Sequence, residues 1–301
     1  MTYPLSGEEP CDFIMGGVCS LKRQYFLTDL DGTLLKNNTS MSDYTIKVIR
    51  DAINQGAIIS YATARSYTSS SSVTSVIPWE SPLVLYNGAI IFDPIKKEVI
   101  SGCWLSEEIT NLIIAEGKKH NLIPLLFCLD KFDKEKVLHE RLIKEGYIQF
   151  IKGRKNDPRF QEVHKLQCSD EYRTLYITYI GEISELEPLK SSLEMLFKDK
   201  IGIHFMEHSY IQNHYYLELT NLKANKEEGL IQWSKLVGCN ADEVTVFGDN
   251  LNDIGMFAKA GKKIAVENAN QVIKELADEV IKSNEEDGVA TYIYGKIGCK
   301  V

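Results

Sequence analysis

The apolar run Tyr25-Phe26-Leu27-Thr28 ends in Asp29-Leu30-Asp31-Gly32-Thr33, and packing alone offers no reason for that ending. A short apolar run bounded by turn residues reads as a buried strand. Side chains two apart on a strand share a face, so Asp29 and Asp31 can converge on one point at its end. Gly32 then lets the backbone turn sharply. Two carboxylates held together cost stability unless something positive sits between them. Such a pair suits Mg²⁺, a hard cation that takes one or two carboxylates together with substrate phosphate oxygens. A plain Asp-Gly turn has the same letters, so the rest of the chain decides between the two.

At 301 residues the chain is long enough for a sizeable core, and that length favours two domains or one domain with a large insertion. The net charge of -8 argues against DNA or RNA as a partner on a broad basic surface. It also repels an anionic metabolite, so a phosphate site needs local positive charge from a metal and a lysine. No apolar run reaches the roughly 20 residues that span a bilayer, and no membrane partner is expected. Residues 1–20 carry Glu8, Glu9 and Asp12 without the basic start and apolar centre of a secretory signal. They are expected to form a poorly ordered extension. Seven cysteines, at 11, 19, 103, 128, 168, 239 and 299, stand singly with no Cys-x-x-Cys pair. That pattern fits reduced thiols in a cytoplasmic protein better than a disulfide or zinc framework. His204 and His208 have a metal-like spacing, but they fall on an expected strand and the turn after it, which speaks against a ligand pair.

Ser42 is placed to cap a helix carrying Val48, Ile49 and Ala52 that stops at Gly56. Residues 57–62 then read as a second buried strand, which closes a strand-helix-strand unit typical of parallel sheets. Thr63-Ala64-Arg65 sits at its end, and a third strand, Leu83 to Tyr86, ends at Asn87-Gly88. After Gly88 the style changes: strands near 125–129, 174–180 and 201–206 alternate with helices expected at 106–120, 134–145 and 184–197. From Tyr215 the first style returns, with a strand to Leu219, a helix ending near Gly238, and the run Val244-Thr245-Val246-Phe247 leading into Gly248-Asp249-Asn250-Leu251-Asn252-Asp253. The expected architecture is α/β: a Rossmann-like parallel sheet core with helices on both faces, at 21–88 and 215–301, interrupted by an inserted α+β cap domain at 89–214. Ligands of open parallel sheets bind beyond the carboxyl ends of the strands, where every one of these polar clusters falls.

Taken singly, Thr63 could be a helix cap, Lys226 a solvated lysine and Asn252 a turn residue; their joint order is harder to dismiss. Asp-x-Asp-Gly-Thr after one strand, a Thr after the second, a Lys opening a later helix and Gly-Asp-x-x-Asn-Asp after another strand resemble the haloacid dehalogenase superfamily of phosphotransferases. The insertion between the Thr and the Lys resembles its type IIB, or Cof-like, branch. The segment from Leu217 to Lys226, with Glu267-Asn268-Ala269 and the stretch from Ser283 to Ala290, is also similar to that branch.

That resemblance implies a Mg²⁺-dependent phosphatase acting on a small phosphorylated metabolite, a sugar phosphate foremost. Asp29 would be the nucleophile that forms an aspartyl-phosphate, and Asp31 the general acid and base. An ordinary Asp titrates near about 3.9, so closeness to Asp29 and partial burial would have to raise Asp31. Mg²⁺ would be held by Asp29, the Asp31 backbone carbonyl and Asp249, with Asp253 bracing the site. Thr63, the Ala64 N–H and Asn252 would bind phosphate, and Lys226 would supply positive charge. Arg65 and Asn87 are candidate substrate contacts. Two positions depart from the pattern: Ala64 stands where the family usually has Gly, as does Glu227 after the lysine. Lys223 competes with Lys226 for the lysine's place. A phosphomutase is the nearest alternative activity, and a non-catalytic phosphoacceptor or ligand-binding relative the alternative class.

Overall fold

A computed structural model describes residues 23–154, 156–207 and 211–298. The expected extension at 1–20, His208, Cys11, Cys19 and Cys299 lie outside them. In chain order the strands and helices are β1 (Tyr25–Thr28), α1 (Asp43–Asn54), β2 (Ile58–Tyr61), α2 (Tyr67–Thr74), β3 (Leu83–Leu85), β4 (Ile90–Asp93), β5 (Glu98–Gly102), α3 (Glu107–Lys119), β6 (Leu125–Asp130), β7 (Glu135–His139), α4 (Glu145–Lys152) and β8 (Phe160–Glu162). They continue with β9 (Tyr172–Glu182), α5 (Ile183–Phe197), β10 (Ile201–Glu207), β11 (His214–Asn221), α6 (Lys226–Val237), β12 (Val244–Gly248), α7 (Ile254–Lys259), β13 (Lys262–Val266), α8 (Gln271–Leu276), β14 (Glu279–Ile281) and α9 (Gly288–Ile297).

Five strands form a parallel sheet in the order β14-β13-β12-β1-β2. Its central strands are short and apolar because both faces are covered: Phe26, Leu27, Val244, Val246 and Phe247 are all buried. α1 forms where Ser42 Oγ accepts from Thr45 N at 3.0 Å, and it buries Val48, Ile49 and Ala52 against the sheet's core. Burial of Val48 and Ile49 contributes about 1.5–3 kcal/mol each. Strand order runs outward from β1 through β2 and, in the other direction, from β12 through β13. Right-handed crossovers therefore put α1 and α7 on opposite faces. α9 packs with α1 and α6 with α7.

The second sheet has the order β10-β11-β9-β6-β7-β8 and is antiparallel except for the β7–β8 pair. One face, with Ile177, Tyr179, Leu217 and Leu219, packs on α3 and α5 through Ile113, Ile114, Leu186 and Leu189. The opposite face carries Phe127, Ile180, Tyr176 and Tyr216 against Tyr147 and Phe150 of α4. The rest of that face meets the strand ends of the parallel sheet across a cleft.

Three expectations change. The helix expected at 134–145 is a hairpin strand, β7, followed by α4. Asp130 Oδ1 accepts from Phe132 N and Lys134 N at 2.8 and 3.0 Å and bends the chain back, so that Val137 and Leu138 pair with β6. Pairing with an existing strand outweighs the local helical preference of Lys and Glu. Residues after Gly88 do not leave the core: β4 and β5 make an antiparallel sheet with β3, which touches β2 through the Ala62–Val84 bridge, and Ile90, Ile91 and Phe92 join the core cluster. The strand expected to rejoin the core at Tyr215 is β11, which pairs with β9 and β10. The two chain crossings between the sheets lie side by side instead, where Asn221 Nδ2 donates to Trp104 O at 2.8 Å.

Candidate active site at the switch of the parallel sheet

β1 and β12 are neighbours from which strand order departs in opposite directions, which is where open α/β sheets hold their ligands. Asp29 follows β1, and its N–H donates to Phe247 O at 3.0 Å, tying the end of β1 to the end of β12. Asp249 and Asp253 follow β12. One carboxylate oxygen from each of Asp29, Asp249 and Asp253 falls within 4.8 Å of the others. Residues 220 positions apart in the sequence therefore meet because two parallel strands end together.

Each acid is fixed differently. Asp29 is buried, and its Oδ1 accepts from Leu30 N at 2.7 Å and meets Lys226 Nζ at 2.9 Å. Asp253, fully buried, accepts from Asp249 N and Asn250 N through Oδ2 at 2.9 and 3.0 Å, and its Oδ1 meets Lys226 Nζ at 2.6 Å. Asp249 accepts from Thr33 Oγ1 at 2.8 Å. Gly32 has φ +74°, and a Cβ there would lie 2.5 Å from Asp249 Oδ2, so the turn needs glycine for both conformation and space.

Lys226 reaches the acids because α6 is pinned at its start. Asn225 Oδ1 accepts from Glu228 N at 2.9 Å, and Gly88 packs so closely that a Cβ there would stand 2.1 Å from Asn225 O. Gly88 is the third of three successive positive-φ residues, after Tyr86 (51°) and Asn87 (54°). A left-handed aromatic residue stores strain, and such strain clusters at functional sites. Lys223, the competing lysine, is exposed.

The electrostatics report a site short of positive charge. Burial pushes the Asp29 carboxyl up to about 8 against the pull of Lys226, with Asp253 adding to the rise. Burial also pushes Asp249 up to about 6, opposed by the Thr33 hydrogen bond and reinforced by Asp253. Burial alone would lower Lys226, but Asp253 and Asp29 outweigh it and hold the lysine above its ordinary value. Three acids facing one ammonium suit a divalent cation: the donors are all carboxylate oxygens, the set preferred by Mg²⁺.

Thr63 is buried, with its N–H on Val84 O at 2.9 Å and its Oγ1 accepting from Arg65 N at 3.1 Å. Asn87 N donates to Thr63 O at 2.8 Å, and Asn87 Oδ1 accepts from Asn252 Nδ2 at 3.0 Å. Asp31 differs from expectation. Its side chain is 49% exposed, not partly buried beside Asp29, and the Arg65 fork grips both of its oxygens at 2.5 and 2.7 Å. The turn at Gly32 rotates it outward, while Asp29 alone stays under the core. A cavity of about 600 Å³ is lined by Ala64, Asn87, Lys226 and Asn252 on one side and by His204, Glu218 and Thr220 of the second sheet on the other. A neighbouring one of about 250 Å³ shares Ala64, Tyr86, Tyr176 and Glu218 and adds Arg65.

Two supports escaped the sequence reading. Thr33 was legible only as the last letter of the Asp-x-Asp-Gly-Thr motif, with no role assigned to it, and Asn268 only as part of a tail similarity. Asn268 Nδ2 donates to Gly32 O at 2.7 Å and its Oδ1 accepts from Asn284 N at 3.0 Å, joining the tail to the first turn.

A family model described as haloacid dehalogenase-like hydrolase matches residues 26–293. The chain is 26% identical over 277 residues to the 5-amino-6-(5-phospho-D-ribitylamino)uracil phosphatase YitU of Bacillus subtilis, covering 88% of this chain and 94% of that protein. It is 23% identical over 273 residues to the pyridoxal phosphate phosphatase YbhA of Escherichia coli, covering 89% and 97%. Among solved structures, that of TM0651 from Thermotoga maritima superposes with a TM-score of 0.74 at 26% identity, covering 91% of this chain and 97% of that one.

Proposed function

Because the chain belongs to the haloacid dehalogenase-like hydrolases, we propose that it is a Mg²⁺-dependent phosphatase that hydrolyses a small phosphorylated metabolite, a sugar phosphate foremost, through an aspartyl-phosphate on Asp29. The observation that carries this reading is the convergence of Asp29, Asp249 and Asp253 within 4.8 Å at the ends of adjacent strands, with Lys226 between Asp29 and Asp253. The relatives named above are phosphatases of small phosphorylated molecules, which supports the substrate class.

Asp29 attacks phosphorus, and the bond to the leaving oxygen breaks as Asp31 donates its proton. Water then attacks the acyl phosphate, gives a proton to Asp31 and releases inorganic phosphate. Asp29 Oδ1 already has its two partners, so its other oxygen forms the new bond. Thr63 and the Ala64 N–H hold phosphate oxygens, and Lys226 and Asn252 add a charge and a donor. Asn87 orients Asn252 through their 3.0 Å hydrogen bond. Asp29, the Asp31 carbonyl and Asp249, with Asp253 behind them, would hold Mg²⁺, whose charge would offset repulsion between nucleophile and phosphate. Arg65 grips Asp31 in the absence of substrate. An arriving phosphate competes for that guanidinium, which frees Asp31 for proton transfer and makes Arg65 a substrate contact.

The test is a screen of phosphorylated metabolites scored by released phosphate. Phosphate should appear with Mg²⁺, vanish on chelation and return when Mg²⁺ is added back. Release indifferent to chelation would remove the metal from the mechanism, and an isomerised sugar phosphate without free phosphate would make the enzyme a mutase.

A further inference from the structure

Glu218 is the residue of the chain's approach to Lys226 that the chemistry above leaves without a task. It stands on β11, paired in register with Thr178 on one side and His204 on the other. Directly paired residues of antiparallel strands share a face, so Thr178, Glu218 and His204 form one polar row across three strands. The row lies on the face that is turned toward the core. Glu218 lines both cavities of the cleft, and Ala64 lies opposite it in each.

Two things are unusual about this row. Thr178 Oγ1 is buried without a hydrogen-bond partner, which is rare for a buried hydroxyl. Among the described residues no cation offsets the burial of Glu218; the Thr178 hydroxyl beside it eases that burial without closing a full hydrogen bond, and the carboxyl is pushed up to about 7. The arginines that line the smaller cavity with Glu218 are engaged elsewhere: Arg65 on Asp31, Arg159 on Asp157 and Glu135, and Arg154 on the carbonyl and ring of Phe150. A half-buried carboxylate and a buried hydroxyl, side by side without full hydrogen-bond partners, cost stability in the empty protein. A ligand that donates hydrogen bonds to both removes that cost.

Resting on the phosphatase reading, we propose that Glu218, with Thr178, is a specificity-determining residue that accepts hydrogen bonds from hydroxyl groups of the substrate's leaving group, so that the site favours monophosphates whose leaving group is polyhydroxylated and carries no charge of its own. A carboxylate in that place attracts hydroxyl donors and repels a second phosphate or a carboxylate on the substrate. Sites built to hydrogen-bond a substrate hydroxyl reject analogues lacking it far more strongly than apolar pockets reject size changes.

The experiment compares kcat/KM for a panel of sugar and polyol monophosphates with that for p-nitrophenyl phosphate, whose leaving group has no aliphatic hydroxyls. In Glu218→Ala the ratio of the best panel member to p-nitrophenyl phosphate should fall roughly 10- to 100-fold, the loss expected for hydrogen bonds to a charged group. Glu218→Gln, which keeps one acceptor oxygen, should lose less. Thr178→Val should lower the same ratio by a smaller factor with at most a small loss of thermal stability, because the hydroxyl eases the Glu218 charge without a full hydrogen bond. Parallel loss on both substrate types would make Glu218 merely structural and overturn the proposal, as would an unchanged ratio. A wild-type enzyme that cleaves p-nitrophenyl phosphate but none of the panel also overturns it while leaving the phosphatase reading intact. Failure to cleave either kind with Mg²⁺ present overturns that reading and the proposal with it.

Discussion

Asp29 and Glu218 are carboxylates around one cleft, the first buried and the second half-buried, and opposite means keep them there. Asp29 sits at a parallel strand end, with a backbone N–H at 2.7 Å and Lys226 Nζ at 2.9 Å. Glu218 sits within an antiparallel strand, beside a hydroxyl and, among the described residues, without a paired cation. Burial is the largest cause of the upward shift in both. The surroundings differ in what they lack. Around Asp29 charge is already partly compensated and a further cation completes it, whereas around Glu218 only hydrogen-bond donors are missing. A strand end can gather charges from several elements; a sheet face offers only its own neighbours, and the opposite wall supplies the rest.

Breaking the first region should have the largest effects. Asp29→Asn should lower turnover roughly 10⁴-fold or more, as loss of a covalent nucleophile does, and phosphate-release kinetics measure it directly; near-normal turnover would remove Asp29 from that role. Lys226→Met should cost roughly 10²–10³ in kcat. It should also destabilise the metal-free protein by about 3–5 kcal/mol, because Asp29 and Asp253 lose the ammonium they share. Urea unfolding with and without Mg²⁺ separates the two effects, and the metal should recover part of the lost stability.

The second region sharpens the contrast through pH. Folding raises the Glu218 carboxyl from 4.5 to about 7, so between those values the folded chain holds a proton that the unfolded chain has released. The favourable contribution is complete below 4.5 and is lost as pH rises through 7. Glu218→Gln should therefore raise stability by up to about 3 kcal/mol at about pH 8 and leave it unchanged at about pH 4. Equal gains at both would mean that the carboxylate is not the source of the cost. The smallest effect is expected at Thr33, whose hydroxyl orients Asp249 at 2.8 Å. Thr33→Val should raise the Mg²⁺ concentration for half-maximal activity about 10-fold, with turnover at saturating metal nearly retained.

Much of the candidate site could be read in the chain because strand ends carry their signal locally. Asp29, Thr63, Asp249 and Asp253 each follow a short apolar run, and Gly32 and Gly88 mark the turns. The least legible parts were those where one segment's conformation depends on another. β7 looked helical until β6 was there to pair with it. β11 looked like a core strand, since an apolar alternation does not say which sheet it will join. Asp31 shares a motif with Asp29 but points the other way, toward an arginine 34 residues on.

What the amino-acid sequence determined by itself was the order of apolar runs, helix caps and glycine turns, and with it the kind of chemistry: these depend on interactions between near neighbours. Only the tertiary structure decided the rest. Adjacency of β1 and β12 brings Asp29 to Asp249, and the antiparallel row on the second sheet sets Glu218 beside Thr178. Both come from pairing of segments far apart in the chain, and the loop-closure entropy that pairing costs is repaid by burial of surfaces that no short segment contains.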